Sequence, residues 1–218
     1  MKLQIVARPM LHGKRRCASA RDFGAQPCSR GECAIGWGMT VLETERLLLR
    51  PLCPDDLEWL VSLRGDADVM RYIGNDGAVP REKTIERLAR YLRCWEEHGL
   101  GMFGIRIRGA SEAVGWAGLQ PLEQTGEIEV GYAFGKGAWG LGFATEAARE
   151  VVAWGFRERG LERIVAVASP ENEASRRVMD KLGMSYEGIK LRYGTDCAYY
   201  SLTPEAFEAE ERRRATIS

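Results

Sequence analysis

A glycine-rich stretch is the part of this 218-residue sequence with the clearest chemical potential. Residues 127–134 have a strand-like pattern, residues 135–142 contain four glycines, and a helical pattern begins near Ala144. Unpaired N–H groups and the positive end of the helix dipole meet at such a helix N-terminus and attract anions. Glycines let the backbone come close to a phosphate. The stretch therefore predicts a phosphate or pyrophosphate ligand.

One frame of this stretch, residues 135–140, satisfies the dinucleotide pattern G-x-G-x-x-G. That frame predicts a nicotinamide-dependent oxidoreductase using NAD. The 76 residues from 143 to 218 offer one parallel crossover rather than a doubly wound sheet, and position 155 lies mid-helix instead of being an acidic strand end. Since no Gly-Lys-Ser/Thr is present, a P-loop is excluded as well. The oxidoreductase is the weakest of three functions considered.

A second frame begins four residues later and resembles the acyl-CoA pyrophosphate loop of the GNAT superfamily of N-acetyltransferases. Its residues are Trp139-Gly140-Leu141-Gly142-Phe143-Ala144, followed by Thr145-Glu146-Ala147. Three more segments resemble the branch that contains the ribosomal-protein N-terminal (alanine/serine) acetyltransferases. They are residues 43–50 with Asp55 and Asp56, residues 129–132, and residues 172–184. The four segments occur in the family's order across residues 43–202, which favours this frame.

The resemblance implies an acetyl-CoA-dependent N-acetyltransferase without a metal. The acceptor would be a primary amine, on a protein N-terminus or a small molecule. The pantetheine arm would pair with the strand near residues 132–134, the pyrophosphate would bind amides of residues 141–145, and the helix from Asn172 would reach the CoA arm. The implied CoA-binding residues are Tyr132, Ala133, Phe134, Trp139, Gly140, Leu141, Gly142, Phe143, Ala144, Thr145, Asn172 and Ser175. Asn172, after Ser169-Pro170, is equally typical of a helix cap.

An ammonium has no lone pair, so amine acetylation near neutral pH needs a base. Glu129, just before the pantetheine segment, is the candidate; the alternative is a solvated strand residue paired with an arginine. Many members of the family have a tyrosine acid where this sequence has Met179. The candidate replacements are Ser175, Tyr186, Tyr193, Tyr200 and water, since a thiolate leaves easily. A catalytically inactive acyl-CoA-binding regulatory module is the alternative function.

The elements around the motif predict a mixed α/β (α+β) domain of GNAT-like fold, with about seven strands in a central sheet and about four flanking helices. The predicted strands are residues 46–50, 102–108, 113–119, 127–134, 163–168, 185–191 and 197–202. The predicted helices are residues 54–64, 81–97, 144–159 and 172–182. Asp55 or Asp56 is expected to cap the first helix, and Gly99 and Gly183 to end the second and the fourth.

The composition narrows the possible partners. Lys plus Arg and Asp plus Glu are both 31, so no nucleic-acid footprint is expected. The longest run without a charge is ten residues, whereas a membrane span needs about 20. The six cysteines are expected to be reduced in a cytoplasmic protein, and Cys17, Cys28 and Cys33 lack the CxxC spacing of a metal site. A homodimer is expected from the resemblance alone.

The balance of basic and acidic residues changes near Met39. Residues 1–38 carry seven Lys or Arg and two acids, while the remainder carries 24 basic and 29 acidic residues. We predict that residues 1–38 are a disordered extension or translation from an upstream start, with a targeting peptide as the alternative. Residues 39–204 would form the domain, and residues 205–218 a charged tail, expected to be a helix end with a solvated face. The domain's net charge of −5 slightly favours cationic acceptors.

Overall fold

The computed structural model describes residues 40–74, 77–123 and 125–217. The hypotheses about residues 1–38, and the cysteines at 17, 28 and 33, fall outside these ranges. Within them, the chain forms one eight-stranded sheet and six α-helices. No helix of the described ranges is long and apolar enough to cross a membrane.

The strands and helices follow the order that the hydrophobic patterning predicts. The strands are β1 (Leu42–Glu43), β2 (Leu47–Pro51), β3 (Met102–Ile107), β4 (Ala113–Pro121), β5 (Ile128–Phe134), β6 (Ile164–Ala168), β7 (Ser185–Arg192) and β8 (Thr195–Leu202). The helices are α1 (Leu57–Arg64), α2 (Ala67–Met70), α3 (Arg81–His98), α4 (Phe143–Arg157), α5 (Glu173–Lys181) and α6 (Pro204–Ile217). Short 3₁₀ turns cover Pro54–Asp56 and Lys136–Ala138.

The sheet is antiparallel except at its centre. Its strand order is β1-β2-β3-β4-β5-β6-β8-β7, and β5 and β6 form the parallel pair. The expected counts of seven strands and four helices are corrected to eight and six. The additional elements are β1, α2 and α6, which are too short or too polar to show a clear hydrophobic period.

Two apolar layers cover the two faces of the sheet. On one face, α4 packs Ala147 and Val151 against strand residues such as Leu119. On the other face, Leu60 of α1 and Tyr91 of α3 pack with Trp116 of β4. Successive residues of β5 therefore point into different layers, because strand side chains alternate between the two faces.

The helix ends agree with the predicted caps. Asp56 caps the 3₁₀ turn Pro54–Asp56 that leads into α1: its carboxylate accepts the Cys53 N–H at 2.8 Å and pairs with Arg50 at 2.6 Å. Gly99 ends α3 with φ of 61°, and Gly183 follows α5 with φ of 80°. Both have the left-handed conformation that glycine tolerates at a helix C-terminus.

The segment expected to be a solvated tail is helix α6. Most of its described side chains are exposed, but Phe207 is 1% exposed and lies 5.7 Å from the Phe156 ring, centroid to centroid. Arg149 of α4 also pairs with Glu211. The segment is therefore packed along one side, because one aromatic residue among charged neighbours is sufficient to anchor a helix. The boundaries 39–204 and 205–218 remain a prediction.

Candidate active site

The candidate site begins where β5 and β6 separate. These parallel strands pair at one register position, Glu129 with Val165. Beyond it, β5 stays paired with β4 through Phe134 while β6 stays paired with β8 through Ala168. The divergence leaves the β5 backbone without a strand partner on one side from Val130 onward. A cavity of about 1780 Å³ opens along this split.

The N-terminus of α4 forms one wall of the cavity. Gly142, its N-cap residue, has φ of 80° and no side chain to bond the first-turn N–H groups. The Glu146 N–H is the first that donates back along the chain, to the Gly142 carbonyl at 3.1 Å. The N–H groups of Phe143, Ala144 and Thr145 are therefore available to an anion, as expected at a helix start.

The loop before α4 is braced against the start of the sheet. Glu146 pairs with Arg46 at 2.6 Å and accepts the Thr44 hydroxyl at 2.5 Å. Arg46 also donates to the Leu141 carbonyl at 3.0 Å and lies 4.7 Å over the Phe143 ring. Residues 44–46 thus hold both the loop and the first turn of α4. Because more than 90 positions separate the partners, sequence reasoning missed this brace.

Trp139 and Leu141 occupy different surroundings in the loop. The Trp139 Nε1 donates to the Phe134 carbonyl at 2.7 Å, and the half-exposed ring lines the cavity. The Leu141 side chain is also half exposed but is not among the cavity-lining residues. Leu141 is therefore a predicted CoA-binding residue that the structure does not place in the cavity lining.

Helix α5 closes the opposite wall. Asn172 Oδ1 accepts the Ser175 N–H at 3.0 Å, so the capping interpretation of Asn172 is correct. The Asn172 amide group has no partner among the described residues and lines the cavity. The Ser175 hydroxyl lies 2.8 Å from the Tyr132 hydroxyl, which bridges β5 and α5. Burial raises the pKa of Tyr132, so this hydroxyl stays protonated.

Glu129 lies at the closed end of the split and is 5% exposed. Its Oε1 accepts hydrogen bonds from Gln120 Nε2, at 2.5 Å, and from the Tyr193 hydroxyl. Burial raises the pKa of Glu129, and the two hydrogen bonds oppose that rise. No described residue donates to Oε2, and Glu129 lines the cavity. A buried carboxylate with a raised pKa and one free oxygen can accept a proton near neutral pH.

The proposed solvated role of Glu129 is wrong, because the side chain is buried and its partners are an amide and a phenol rather than an arginine. Glu129 and Tyr132 point to opposite faces of β5, since they are three residues apart. Glu129 therefore faces α3, whereas Tyr132 and Ser175 lie on the α4 and α5 side.

The cavity collects nearly all of the predicted site residues. Its lining includes Glu129, Tyr132, Ala133, Phe134, Trp139, Gly140, Gly142, Phe143, Ala144, Thr145, Asn172 and Ser175. Among the candidate acids, Ser175 and Tyr193 line it, but Tyr186 and Tyr200 do not. Tyr200 instead accepts a hydrogen bond from Arg176 at 3.2 Å. Met179, which stands at the position of the family's tyrosine acid, is 1% exposed within the apolar core.

Gln120 and Arg64 are among the cavity residues that sequence reasoning missed. Gln120 is the register partner of Glu129 on β4, which no local pattern specifies. Arg64 ends α1 in a segment whose pattern predicts an ordinary helix. No cluster of three or more metal-type side chains occurs among the described residues.

Comparison with known proteins decides the family. Residues 46–185 match the family model described as "Acetyltransferase (GNAT) domain". The chain belongs to the GNAT family of acetyltransferases. It is 34% identical over 154 residues to "Uncharacterized N-acetyltransferase YoaA" of Bacillus subtilis, which covers 70% of this chain and 87% of that protein. The family assignment confirms the expected fold class and makes this chain an N-acetyltransferase.

Solved GNAT structures share the fold. One is a GNAT acetyltransferase from Bacillus anthracis, with a TM-score of 0.65 and 30% identity over 76% of this chain and 99% of that chain. Another is RimL, a ribosomal L7/L12 alpha-N-protein acetyltransferase in complex with coenzyme A. Its TM-score is 0.65 and its identity is 17%, over 77% of this chain and 99% of that chain. At that identity the second likeness shows the fold alone.

The GNAT assignment excludes the dinucleotide-binding interpretation of residues 135–140. Gly135 to Gly140 enclose a 3₁₀ turn, Lys136–Ala138, and α4 begins only at Phe143. The described sheet has one parallel pair rather than the series of crossovers of a doubly wound fold. GNAT domains use acetyl-CoA, and the walls of the β5–β6 split suit it: orphan N–H groups for a pyrophosphate and an unpaired strand edge for an amide-containing arm.

Proposed function

We propose that this protein transfers an acetyl group from acetyl-CoA to a primary amine by direct attack, without an acyl-enzyme intermediate. The observation that carries the proposal is the β5–β6 split, with the α4 N-terminus at its open end and a buried carboxylate, Glu129, at its closed end. A donor that spans the split places its thioester near the face of β5 on which Glu129 can accept a proton from the amine.

The donor half of the cavity lies between β5, α4 and α5. We assign the pyrophosphate to the N–H groups of Leu141 through Thr145, where the helix dipole favours an anion. We assign the pantetheine amides to the free edge of β5 at residues 130–134. Asn172 reaches the same arm through the amide group that its helix cap leaves free.

Glu129 is assigned as the base. Its carboxylate takes the proton that the ammonium must lose, directly or through one water, and the freed nitrogen lone pair forms the new C–N bond. A backbone N–H near Val130 or Gly131 stabilises the oxyanion of the tetrahedral intermediate. The C–S bond then breaks, and the thiolate receives the remaining ammonium proton, through Ser175 or water.

Ser175 is preferred to Tyr193 as the group that protonates sulfur. Ser175 faces the donor half with Tyr132, whereas Tyr193 is committed to Glu129. Met179 lines the cavity, but its thioether has no proton to donate, so this position offers no side-chain acid. A thiol's ordinary pKa of about 8.5 makes a strong acid unnecessary, so water is sufficient if Ser175 is removed.

Thermal unfolding of the full chain with acetyl-CoA, CoA or NAD at equal concentration tests the donor. A ligand at 100 times its Kd stabilises by about 2.7 kcal/mol, which gives a clear shift in Tm. We expect acetyl-CoA and CoA to shift the Tm and NAD not to. Thiol release with a panel of protein N-terminal peptides and small amines then tests transfer. CoA binding without turnover of any amine would support the inactive module instead.

A further inference from the structure

Arg64 is a buried arginine without an acidic partner in the described part of the chain. It is 6% exposed, lines the cavity, and lies at the end of α1. Its side chain makes a single long hydrogen bond, from Nε to the Thr84 hydroxyl at 3.4 Å. The guanidinium has five donor hydrogens, so most of its capacity is unused.

The guanidinium nitrogens of Arg64 are not among the fully buried polar atoms that lack a partner, so they face the cavity. A guanidinium that faces a cavity without an acidic partner is available to a carboxylate or phosphate of a ligand. Two other shielded arginines of this chain do have acids: Arg50 pairs with Asp56 and Arg149 with Glu211. Arg64 lacks such an acid in residues 40–74, 77–123 and 125–217, which points to a negative charge supplied by a ligand.

The neighbouring wall of α3 is also basic. Lys83 and Arg87, one helical turn apart, both line the cavity, and neither has an ion pair among the described residues. Arg90, the next residue of this face, is already paired with Glu123. Glu86 is the acidic exception on this wall. Lys83 and Arg87 of α3, together with Arg64 of α1, are three cations without an ion pair among the described residues, against the one acid Glu86. This side of the cavity therefore has a net positive charge.

These cations lie on the acceptor side of the sheet. The residues of α1 and α3 pack with Trp116 and Ala133, on the face of β5 that carries Glu129. The elements assigned to the donor, α4 and α5, pack on the other face with Tyr132. The donor's phosphates therefore already have a site at the α4 N-terminus, and Arg64 remains without an anion when the donor is bound there.

We infer that the acceptor amine carries its own anionic group, a carboxylate or a phosphate, which Arg64 binds inside the cavity while Lys83 and Arg87 attract it from the wall. This inference rests on the proposed acetyl transfer. It reverses the preference for cationic acceptors drawn from the domain's net charge of −5, because a substrate responds to the charges that line its site rather than to the chain's total.

Matched amine pairs test the inference. A panel of amino acids is compared with their carboxamides, and O-phosphoethanolamine with ethanolamine, by thiol release with rates expressed per free amine. Since hydrogen bonds to charged groups contribute roughly 1.5–3 kcal/mol, we expect kcat/KM to favour the anionic member by about tenfold or more. The first pair type reports a carboxylate and the second a phosphate.

The Arg64→Met variant makes the test specific, and Arg212→Met of helix α6 is its control. Methionine fills a similar volume without charge, so the variant should fold with an equal or higher Tm in the absence of ligand. We expect R64M to abolish the preference within each pair and R212M to keep it. Equal rates within every pair, or a preference that persists in R64M, would overturn the inference.

Two readouts separate this inference from the proposed function. Turnover of neutral and anionic amines at equal rates would support acetyl transfer and reject the role of Arg64. If no amine is acetylated, binding of the same compounds to the CoA-saturated protein decides by thermal shift. Stabilisation by anionic members that R64M loses supports the inference, and the absence of any such difference overturns it.

Discussion

The hydroxyl of Tyr193 donates a hydrogen bond to Oε1 of Glu129, which ties the β7–β8 turn to the central strand β5. Tyr193 has φ of 52° and the following Gly194 has φ of 76°. A two-residue hairpin turn with both residues in the left-handed region usually has Asn or Gly first, and another residue there costs about 1–2 kcal/mol. The strained tyrosine is therefore in the place where it orients the candidate base.

Glu129→Gln should lower kcat/KM by about 10²- to 10⁴-fold while acetyl-CoA binding is retained. The amide cannot take the ammonium proton but keeps the shape of the side chain. Steady-state rates and acetyl-CoA thermal shifts measure the two effects. Glu127→Gln, outside the cavity on the same stretch of chain, is the control. Wild-type turnover in E129Q would show that Glu129 is not the base.

The Tm of wild type and that of E129Q should depend differently on pH. Burial raises the pKa of Glu129 in the folded protein above its pKa in the unfolded chain. The stability that the protonated Glu129 contributes is therefore fully present below the unfolded pKa and is lost as the pH rises through the folded pKa. Glutamine does not titrate. We expect the Tm of E129Q, relative to wild type, to increase from about pH 5 to about pH 8. A constant difference in Tm would contradict a buried, titrating carboxylate.

Tyr193→Phe should move the acid limb of the kcat/KM profile to higher pH. The Tyr193 hydrogen bond favours the ionised carboxylate and holds the pKa of Glu129 down, so its removal raises that pKa. The rate at the alkaline plateau should stay near that of wild type, since Glu129 is still present. The control is Tyr199→Phe, which removes a 2.7 Å bond to Glu127 instead. If the acid limb of the kcat/KM profile did not shift in Y193F, the Tyr193 hydrogen bond would not control the pKa of the base.

Gly142→Ala should weaken acetyl-CoA binding beyond its effect on stability. Gly142 has φ of 80°, and an added Cβ would lie 3.4 Å from the Arg46 guanidinium that braces the loop. Gly109→Ala is a matched control, because Gly109 has φ of 81° with open space around it. Both variants should lose about 1–2 kcal/mol of stability. A raised KM for acetyl-CoA in G142A alone is the expected result; equal KM values would contradict a donor site at this loop.

Arg46→Ala should raise the KM for acetyl-CoA by about threefold to tenfold with little change in kcat. Arg46 positions the loop through Glu146 and the Leu141 carbonyl rather than touching the reacting atoms. Arg163→Ala removes an equally exposed arginine from its pair with Glu187 and serves as the control. Because both pairs are partly exposed, each variant should lose at most about 1 kcal/mol of stability. A lower kcat with unchanged KM would argue against the brace.

Phe207→Ala should lower the free energy of unfolding by about 3–5 kcal/mol, the usual cost of deleting a buried aromatic ring. Phe207 is the apolar anchor of α6 against Phe156. Denaturant titration of the variant and of Glu208→Ala, an exposed neighbour, measures the effect. If F207A were as stable as E208A, the segment from 205 would behave as the solvated tail that its composition suggests.

Local order along the chain was predictable from the sequence. The glycines before Ala144, the helical period after it and the left-handed stops at Gly99 and Gly183 depend on residues within a few positions. The same proximity explains why the glycine-rich loop before α4 could be predicted. The short elements β1 and α2 and the packing of α6 against the core were missed, because they depend on distant partners rather than on a local pattern.

The site itself depends on tertiary structure. Sequence alone placed Glu129 on a strand but left its surroundings open; the register with Gln120 and the turn at Tyr193 decided that it is buried and hydrogen-bonded. Arg64 lies in an ordinary amphipathic helix until the packing of α1 against α3 buries it without an acid from the described ranges. Such features follow from contacts between residues 20 to 64 positions apart, which local patterns do not encode, because the sheet register and helix packing that create them are set by the whole core.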